Sequence, residues 1–396
     1  MGIGMVTPPL SSFDIVGWQC GDPWPPFNAY GESDLSAPDH GTIVSQLKRI
    51  QSISYGFSSN LTDVQQYGSL SRLNSVQVSE APVNLEFSWY ITDAHNERFI
   101  GLVIDGKESP LAQEKLVSDG RNYFIETVPE KRDAVSGDMM GPNQDNTVIS
   151  IGNAFLTNYS ADISVGSIPT ATATVEAFNI KADVGTTGLN VPALNPRNGS
   201  VVSNAWLNNE QGVCNPNGCT GLFSLPAASL GYRGCKKDIA ALRPGDVVLN
   251  LSNAALFSLQ VSGDPNNALL GSSHIESASI DFSLSRSSIN RLGTTNPLTK
   301  SLDTPINITL TVSAVLSDLK KGRLTDLLCS CKTHDLNIKI YEASCDPCKR
   351  NTDNLAIEYI FKKAILVSEN FTSTIGDNKR VDIVFDSQLD FFQKEG

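Results

Sequence analysis

The dominant pattern along this chain is alternation of apolar and polar residues. Ile53, Tyr55 and Phe57 alternate with Ser52, Ser54, Gly56 and Ser58, and Leu85, Phe87 and Trp89 alternate with Asn84, Glu86 and Ser88. A period of two puts successive side chains on opposite faces of a strand, so each run predicts a strand with one face on a core. TATATV (170–175) and RVDIVF (380–385) continue the pattern with β-branched residues. Helical periodicity is scarce. Its best candidates are 42–49 (TIVSQLKR), 110–117 (PLAQEKLV) and 317–328 (SDLKKGRLTDLL), the last interrupted by Gly322. The pattern predicts a mainly β chain of antiparallel β-sandwiches or barrels, with short helices and long loops.

The strand runs also repeat in order. IQSISYGFS (50–58) returns as IESASIDFS (275–283), PVNLEF (82–87) as PINITL (305–310), and RNYFIETV (121–128) as LNIKIYEA (336–343). A longer block, AFLTNYSADISVGSIPTATATV (154–175), returns as AILVSENFTSTIGDNKRVDIVF (364–385). The offset between copies falls from 225 to 223, 215 and 210 residues, so the length changes sit between blocks, where Ser, Asn, Asp and Gly gather. Loops vary in this way around a kept scaffold. A period of this size implies two fused domains and not a solenoid of short repeats. The expected organisation is an N-terminal arm over 1–40, one copy over 41–183, a connector with loops over 184–266, and a second copy over 267–396.

Composition supports folding of both halves: 396 residues suffice for two domains, and 40% hydrophobic with 18% charged residues is ordinary for globular proteins. Net charge is −12, with −11 on residues 1–198 and −1 on 199–396. Such a chain repels free nucleic acid and is a poor clamp for it, while the same repulsion suits a surface past which DNA slides. The N-terminus has no basic start followed by an apolar run, and no segment approaches eighteen consecutive apolar residues, so neither a secretory signal nor a membrane span is expected.

Motifs for chemistry do not survive inspection. GLVIDGK (101–107) has two glycines and a lysine at phosphate-loop spacing, but Glu108 stands where a magnesium-binding Ser or Thr belongs and no clear helix starts at Lys107. His40, His95, His274 and His334 stand in no recognisable catalytic setting, and acidic pairs such as Asp34 with Asp39 or Glu126 with Glu130 read as solvated faces. The Asn-x-Ser/Thr triplets, from Asn60 to Asn370, carry no weight without a signal peptide. No catalytic residue and no cofactor are expected. The cysteines are lopsided, with Cys20 alone in the first half. Cys329, Cys331, Cys345 and Cys348 supply four thiols at spacings a zinc ribbon could use, with disulfides or simple thiols as the alternatives.

Two stretches, DVQQYGSLSRLNSVQVSEAPVNLEFSWYIT (63–92) and FSLSRSSINRLGTTNPLTKSLDTPINITLTVSAVLSD (282–318), resemble structural proteins of tailed-phage virions, and in particular an enlarged tail tube protein with a duplicated tube domain. The end of each copy, a strand followed by VGS or IGD and a second alternating strand, is similar to the end of the tail-tube domain. The resemblance covers both copies but not the first 40 residues or the connector. It implies a β-sandwich whose strands join those of neighbours into a barrel around a channel, with rings stacked into a tube that conducts DNA. Common tube subunits carry one such domain, so a duplicated subunit implies a homotrimer forming a pseudo-hexameric ring.

The same resemblance implies a virion tail protein assembled in the host cytoplasm, with itself as main partner. Further partners would be a tape-measure protein, a tail terminator, baseplate proteins and a sheath, with DNA only as passing cargo and no membrane. Glu86, Glu176, Glu358 and Asp382 alternate with core-type neighbours and are the candidate channel-facing carboxylates. The rival readings are a receptor-binding or decoration protein on the virion surface and a distal-tail or baseplate hub ring of the same fold. WQCGDPWPPF (18–27) is the one segment that suggests a binding tip, and it also reads as an arm that docks on a neighbour.

Overall fold

The computed structural model describes residues 2–7, 45–78, 80–92, 95–100, 102, 121–128, 147–184, 192–194, 242, 247–251, 275–293, 297, 299–315, 333–341, 355–372 and 380–388. In chain order the described elements are β1 (Gly2–Thr7), β2 (Ser45–Gln46), β3 (Ile50–Phe57), β4 (Leu61–Val64), β5 (Asn74–Gln77), β6 (Val83–Tyr90) and α1 (His95–Ile100). There follow β7 (Arg121–Thr127), β8 (Thr147–Ser164), β9 (Thr170–Ala177), β10 (Asn179–Val184), β11 (Val247–Leu251) and β12 (Ile275–Ser283). The last are β13 (Arg286–Ile289), β14 (Thr299–Leu302), β15 (Asn307–Val315), β16 (His334–Tyr341), β17 (Leu355–Thr372) and β18 (Arg380–Gln388). The protein is mainly β, and the sheets are antiparallel.

Two sets of strands pair in the same order. In the first, β3 pairs β6, β6 pairs β9, β9 pairs β8, β8 pairs β7 and β7 pairs β1. In the second, β12 pairs β15, β15 pairs β18, β18 pairs β17, β17 pairs β16 and β16 pairs β11. Registers agree as well. Phe87 lies opposite Ile53 and Ala173, and Val312 lies opposite Ala278 and Ile383. The β8–β9 ladder slips between Leu156 and Asn158, and the β17–β18 ladder slips between Leu366 and Ser368. The segments expected to be arm and connector contribute β1 and β11, which run along β7 and β16 in matching register.

Register also replaces two of the offsets found by matching text. Val83 pairs Phe57 and Ile308 pairs Phe282, so β6 corresponds to β15 at an offset of 225, not 223. Arg121 pairs Ala154 and His334 pairs Ala364, so β7 corresponds to β16 at 213, not 215. Each correction is a slip of two residues. A two-residue slip leaves every side chain on its own face, so alternation alone cannot detect it.

The two long strands bend at equivalent points. Asn153 in β8 and Lys363 in β17 have φ values of 54° and 55°, a left-handed conformation that turns each strand from one sheet into the next. The C-terminal halves of β8 and β17 then join an eight-stranded run, β3-β6-β9-β8-β12-β15-β18-β17. Their N-terminal halves, with β7, β1, β16 and β11, form the covering layer. Phe87 meets Tyr123 across the layers at 5.7 Å between rings, and Phe282 meets Tyr359 at 6.5 Å. One apolar core lies between. Leu85, Trp89, Tyr159, Ile280, Leu310 and Phe385 are each almost wholly buried in it, and a side chain of this kind stabilises by about 1.5–3 kcal/mol on burial.

A helix over 42–49 does not form, because within that range Ser45–Gln46 pairs as a strand with β1. An available strand edge outweighs a weak helical pattern. The other two helix candidates, 110–117 and 317–328, lie outside the described residues. The helix that is described, α1, was not signalled by periodicity. It places Glu97 and Ile100 in the core.

Candidate functional site

Every strand of the eight-stranded run turns alternate residues away from the core, and apart from Tyr90, Ile365 and Val384 the described ones make a largely polar face. It carries Ser54 and Gly56 on β3, Thr172 and Thr174 on β9, Ser160 on β8, Ser279 on β12, Thr309 and Thr311 on β15, and Asn370 on β17. Into this lawn are set the carboxylates Glu86, Asp162, Asp281, Asp382 and Asp386. Arg380 stands at the rim of the face, held to Glu276 at 2.6 Å.

The carboxylates are positioned by neighbouring hydroxyls. Ser279 donates to Asp162 at 2.5 Å and Ser313 donates to Asp382 at 2.5 Å. Asp162 and Asp281 are diagonal neighbours across the β8–β12 junction, since Asp162 pairs Ser279 and Asp281 pairs Ser160. Partial burial raises the Asp281 pKa above its usual 3.8, and the negative charge of Asp162 raises it further. Like charges so placed repel an approaching phosphate.

The four carboxylates singled out from sequence go to different places. Glu86 and Asp382 lie on the polar face. Glu176 shares that face but is ion-paired to the buried Lys300, whose ammonium also lies 3.5 Å from Glu80. Glu358 belongs to the N-terminal half of β17, between the buried Ile357 and Tyr359, so it points outward from the covering layer. There it accepts from Asn337 at 2.6 Å and sits 3.5 Å from Lys339. Sequence reading missed Asp162, Asp281 and Asp386. Their signal was present in the alternation of SADIS, SASIDF and DIVFD.

The run has two open ends. Among the described strands, β3 pairs on one side only, with β6, and the C-terminal half of β17 pairs only with β18. Both ends expose apolar side chains: Tyr55 and Phe57 on β3, and Ile365, Val367 and Phe371 on β17. Unpaired edges of this length invite another strand. Among the described strands such an edge is completed at the middle of the run, where β12 pairs β8 from Ser277 opposite Ser164 to Ser283 opposite Asn158.

All four thiols of the zinc-or-disulfide cluster, the segment 18–27 and most of the glycine-lysine stretch at 101–107 lie outside the described residues. Among the described residues, no group of three or more His, Cys, Asp or Glu is placed to hold a metal, and no helix is long and apolar enough to cross a membrane. No family model matches this chain, and no curated protein matches it.

Proposed function

We propose that this chain is a non-enzymatic structural subunit made of two tandem tail-tube-like domains, and that copies of it close into rings that stack into a phage tail tube conducting DNA. The observation that carries this reading is the β12–β8 junction. There the first strand of the second set completes the edge of the first set. Among the described strands, the matching edges at the two ends of the run, β3 and the C-terminal half of β17, are both open. A contact satisfied once inside a chain and left open at its two ends is heterologous. Repetition by rotation closes such a contact into a ring and leaves no edge.

Geometry favours three chains. Strands lie about 4.8 Å apart and tilt by about 40° in closed barrels, so three eight-stranded runs would enclose a channel about 45–50 Å across between backbones. Side chains narrow that bore to a width that passes a nucleic-acid duplex, whereas six chains would double it. The face turned to the channel would be the polar one, because the other is buried under the covering layer. Its Ser, Thr and carboxylate composition suits a wall past which phosphate slides without adhering. The remaining partners on this reading are a tape-measure protein, a terminator, baseplate proteins and a sheath, in a virion assembled in the host cytoplasm.

Electron microscopy of the purified, concentrated protein tests the proposal. The expected result is hollow tubes with three chains per ring. Isolated rings that never stack would favour a hub, and monomers at every concentration would overturn the assembly reading.

A further inference from the structure

The two hairpins that leave the eight-stranded run are built alike and seated differently. β13–β14 departs between β12 and β15, and β4–β5 departs between β3 and β6. Their registers match at an offset of 225, with Arg286 opposite Leu302 in one and Leu61 opposite Gln77 in the other. β13–β14 folds across the margin of the first set. Arg286 donates through Nε to the Leu156 carbonyl at 2.8 Å, and its guanidinium lies over the Phe155 ring at 5.4 Å. Lys300 is buried over the Phe178 ring at 5.2 Å and ion-paired to Glu176. The Leu284 amide, at the foot of the hairpin, donates to the Thr157 carbonyl at 2.8 Å. Phe155 is only 4% exposed beneath this clasp.

The counterpart hairpin and the counterpart seat are both bare. On β4, Leu61, at the position of Arg286, is 56% exposed. The β8–β9 and β17–β18 ladders share one offset of 210, so the residues corresponding to Phe155 and Thr157 are Ile365 and Val367, which are 57% and 58% exposed. The chemistry has been exchanged along with the occupancy. Where the inner hairpin presents Arg286 and Lys300, the outer presents Leu61 and Ser75. Where the inner seat offers Phe155 and Glu176, the outer offers Ile365 and Asp386. The inside clasp is cationic, and the outside clasp puts the apolar Leu61 where Arg286 stands and Ile365 where Phe155 stands.

From these observations we infer that the β4–β5 hairpin of one chain seats on the Ile365–Val367 surface of a second copy, with Leu61 at the centre of the contact. The inference rests on the ring-forming reading of the chain, and it adds the residues that select the partner. Leu61 cannot replace the Lys300–Glu176 ion pair of the inner seat, and Arg286 placed on Ile365 would lose the aromatic ring that its guanidinium covers. The difference therefore keeps the seam within a chain distinct from the seam between chains.

The test uses the full chain and compares the concentration needed for assembly, by sedimentation and electron microscopy, of the wild type, Leu61→Glu, Ile365→Lys and the double variant. Each single variant places a charge against an apolar surface and is expected to raise the assembly concentration about tenfold or more, the equivalent of losing one buried aliphatic side chain. The double variant restores assembly, and that assembly weakens with salt as the wild type's does not. Both positions are solvent-exposed in the chain, so thermal midpoints are expected to stay unchanged. Should a charged variant fail to fold, Leu61→Ser and Ile365→Ser give the same readout. Wild-type rings unaffected by either single change, or a double variant no better than the worse single, would overturn the clasp and leave the ring reading standing. A wild type that never assembles overturns both.

Discussion

The hydroxyl oxygens of Tyr159 and Tyr359 lie 2.7 Å apart in the core, although the residues are separated by 200 positions in the chain. Tyr159 stands at the β8–β12 junction and Tyr359 in the covering half of β17, so this hydrogen bond ties the two strand sets together. Glu97 completes the group by accepting from the Trp89 indole at 3.0 Å and lying 3.5 Å from the Tyr159 hydroxyl. Burial first, and then Tyr359 and Glu97, raise the Tyr159 pKa well above 10.0, and burial followed by Glu97 raises that of Tyr359. A folded-state pKa above the unfolded value leaves stability whole below pH 10.0 and erodes it as pH rises beyond.

Tyr359→Phe is therefore expected to cost about 1–2 kcal/mol at neutral pH, the usual loss when a buried hydrogen-bond partner is removed. A double-mutant cycle with Tyr159→Phe should return a coupling of about 1 kcal/mol. The stability of the double variant should also fall less steeply above pH 10.0 than that of the wild type. Chemical denaturation between pH 7 and pH 11 measures all three, and strictly additive losses would show that the two hydroxyls do not interact.

Gly152 is needed for a close approach and not for its backbone angle. A Cβ built there would come within 2.3 Å of the Pro192 carbonyl oxygen. Next to it, Asn153 donates to the Leu194 carbonyl at 3.3 Å and accepts from the Leu194 amide at 2.6 Å. Gly152→Ala is expected to destabilise by about 1–3 kcal/mol, because the obstacle is backbone and cannot swing aside. A thermal midpoint equal to that of the wild type would mean that the 192–194 segment moves without cost.

Asp281 offers a pH-dependent test of the polar face. Its pKa is raised, so its ionisation opposes the fold: stability is whole below pH 3.8 and declines as pH climbs through the folded-state value. Asp281→Asn is expected to raise the thermal midpoint at pH 7, with the gain shrinking toward zero near pH 4. Since Asp162 is the charge that adds to the shift, Asp162→Asn should lower the Asp281 pKa, which can be followed by carboxyl chemical shifts.

Much of this fold was written in the alternation. The core faces of β6, β9 and β18 follow directly from residues such as Phe87, Ala173 and Ile383, because a half-buried strand must separate its faces. The register was not legible, since slips of two residues preserve those faces, and β6 and β7 were matched to their counterparts two positions off. The candidate site divides in the same way. Glu86 and Asp382 could be placed beside the core by counting. Glu176 could not, because its neutralising partner Lys300 is 124 residues away. Nor could Glu358, because alternation says that a side chain faces away from the core but not which layer carries it.

The open edges of β3 and β17 yield the most direct prediction about assembly. Carrying the β12–β8 register over to them places Tyr55 opposite Phe371, Phe57 opposite Glu369 and Ser54 opposite Thr372 of the next chain. Among the described strands, the outer sides of β3 and the C-terminal half of β17 have no partner, whereas β12 and the C-terminal half of β8 are paired on both sides. Hydrogen exchange compared before and after assembly should therefore show new protection in 52–58 and 368–372, with little change in 277–283 and 158–164. The contrast depends on the pairing itself and not on burial in general, since a ring held only by loops would leave β3 and β17 exchanging as fast as before.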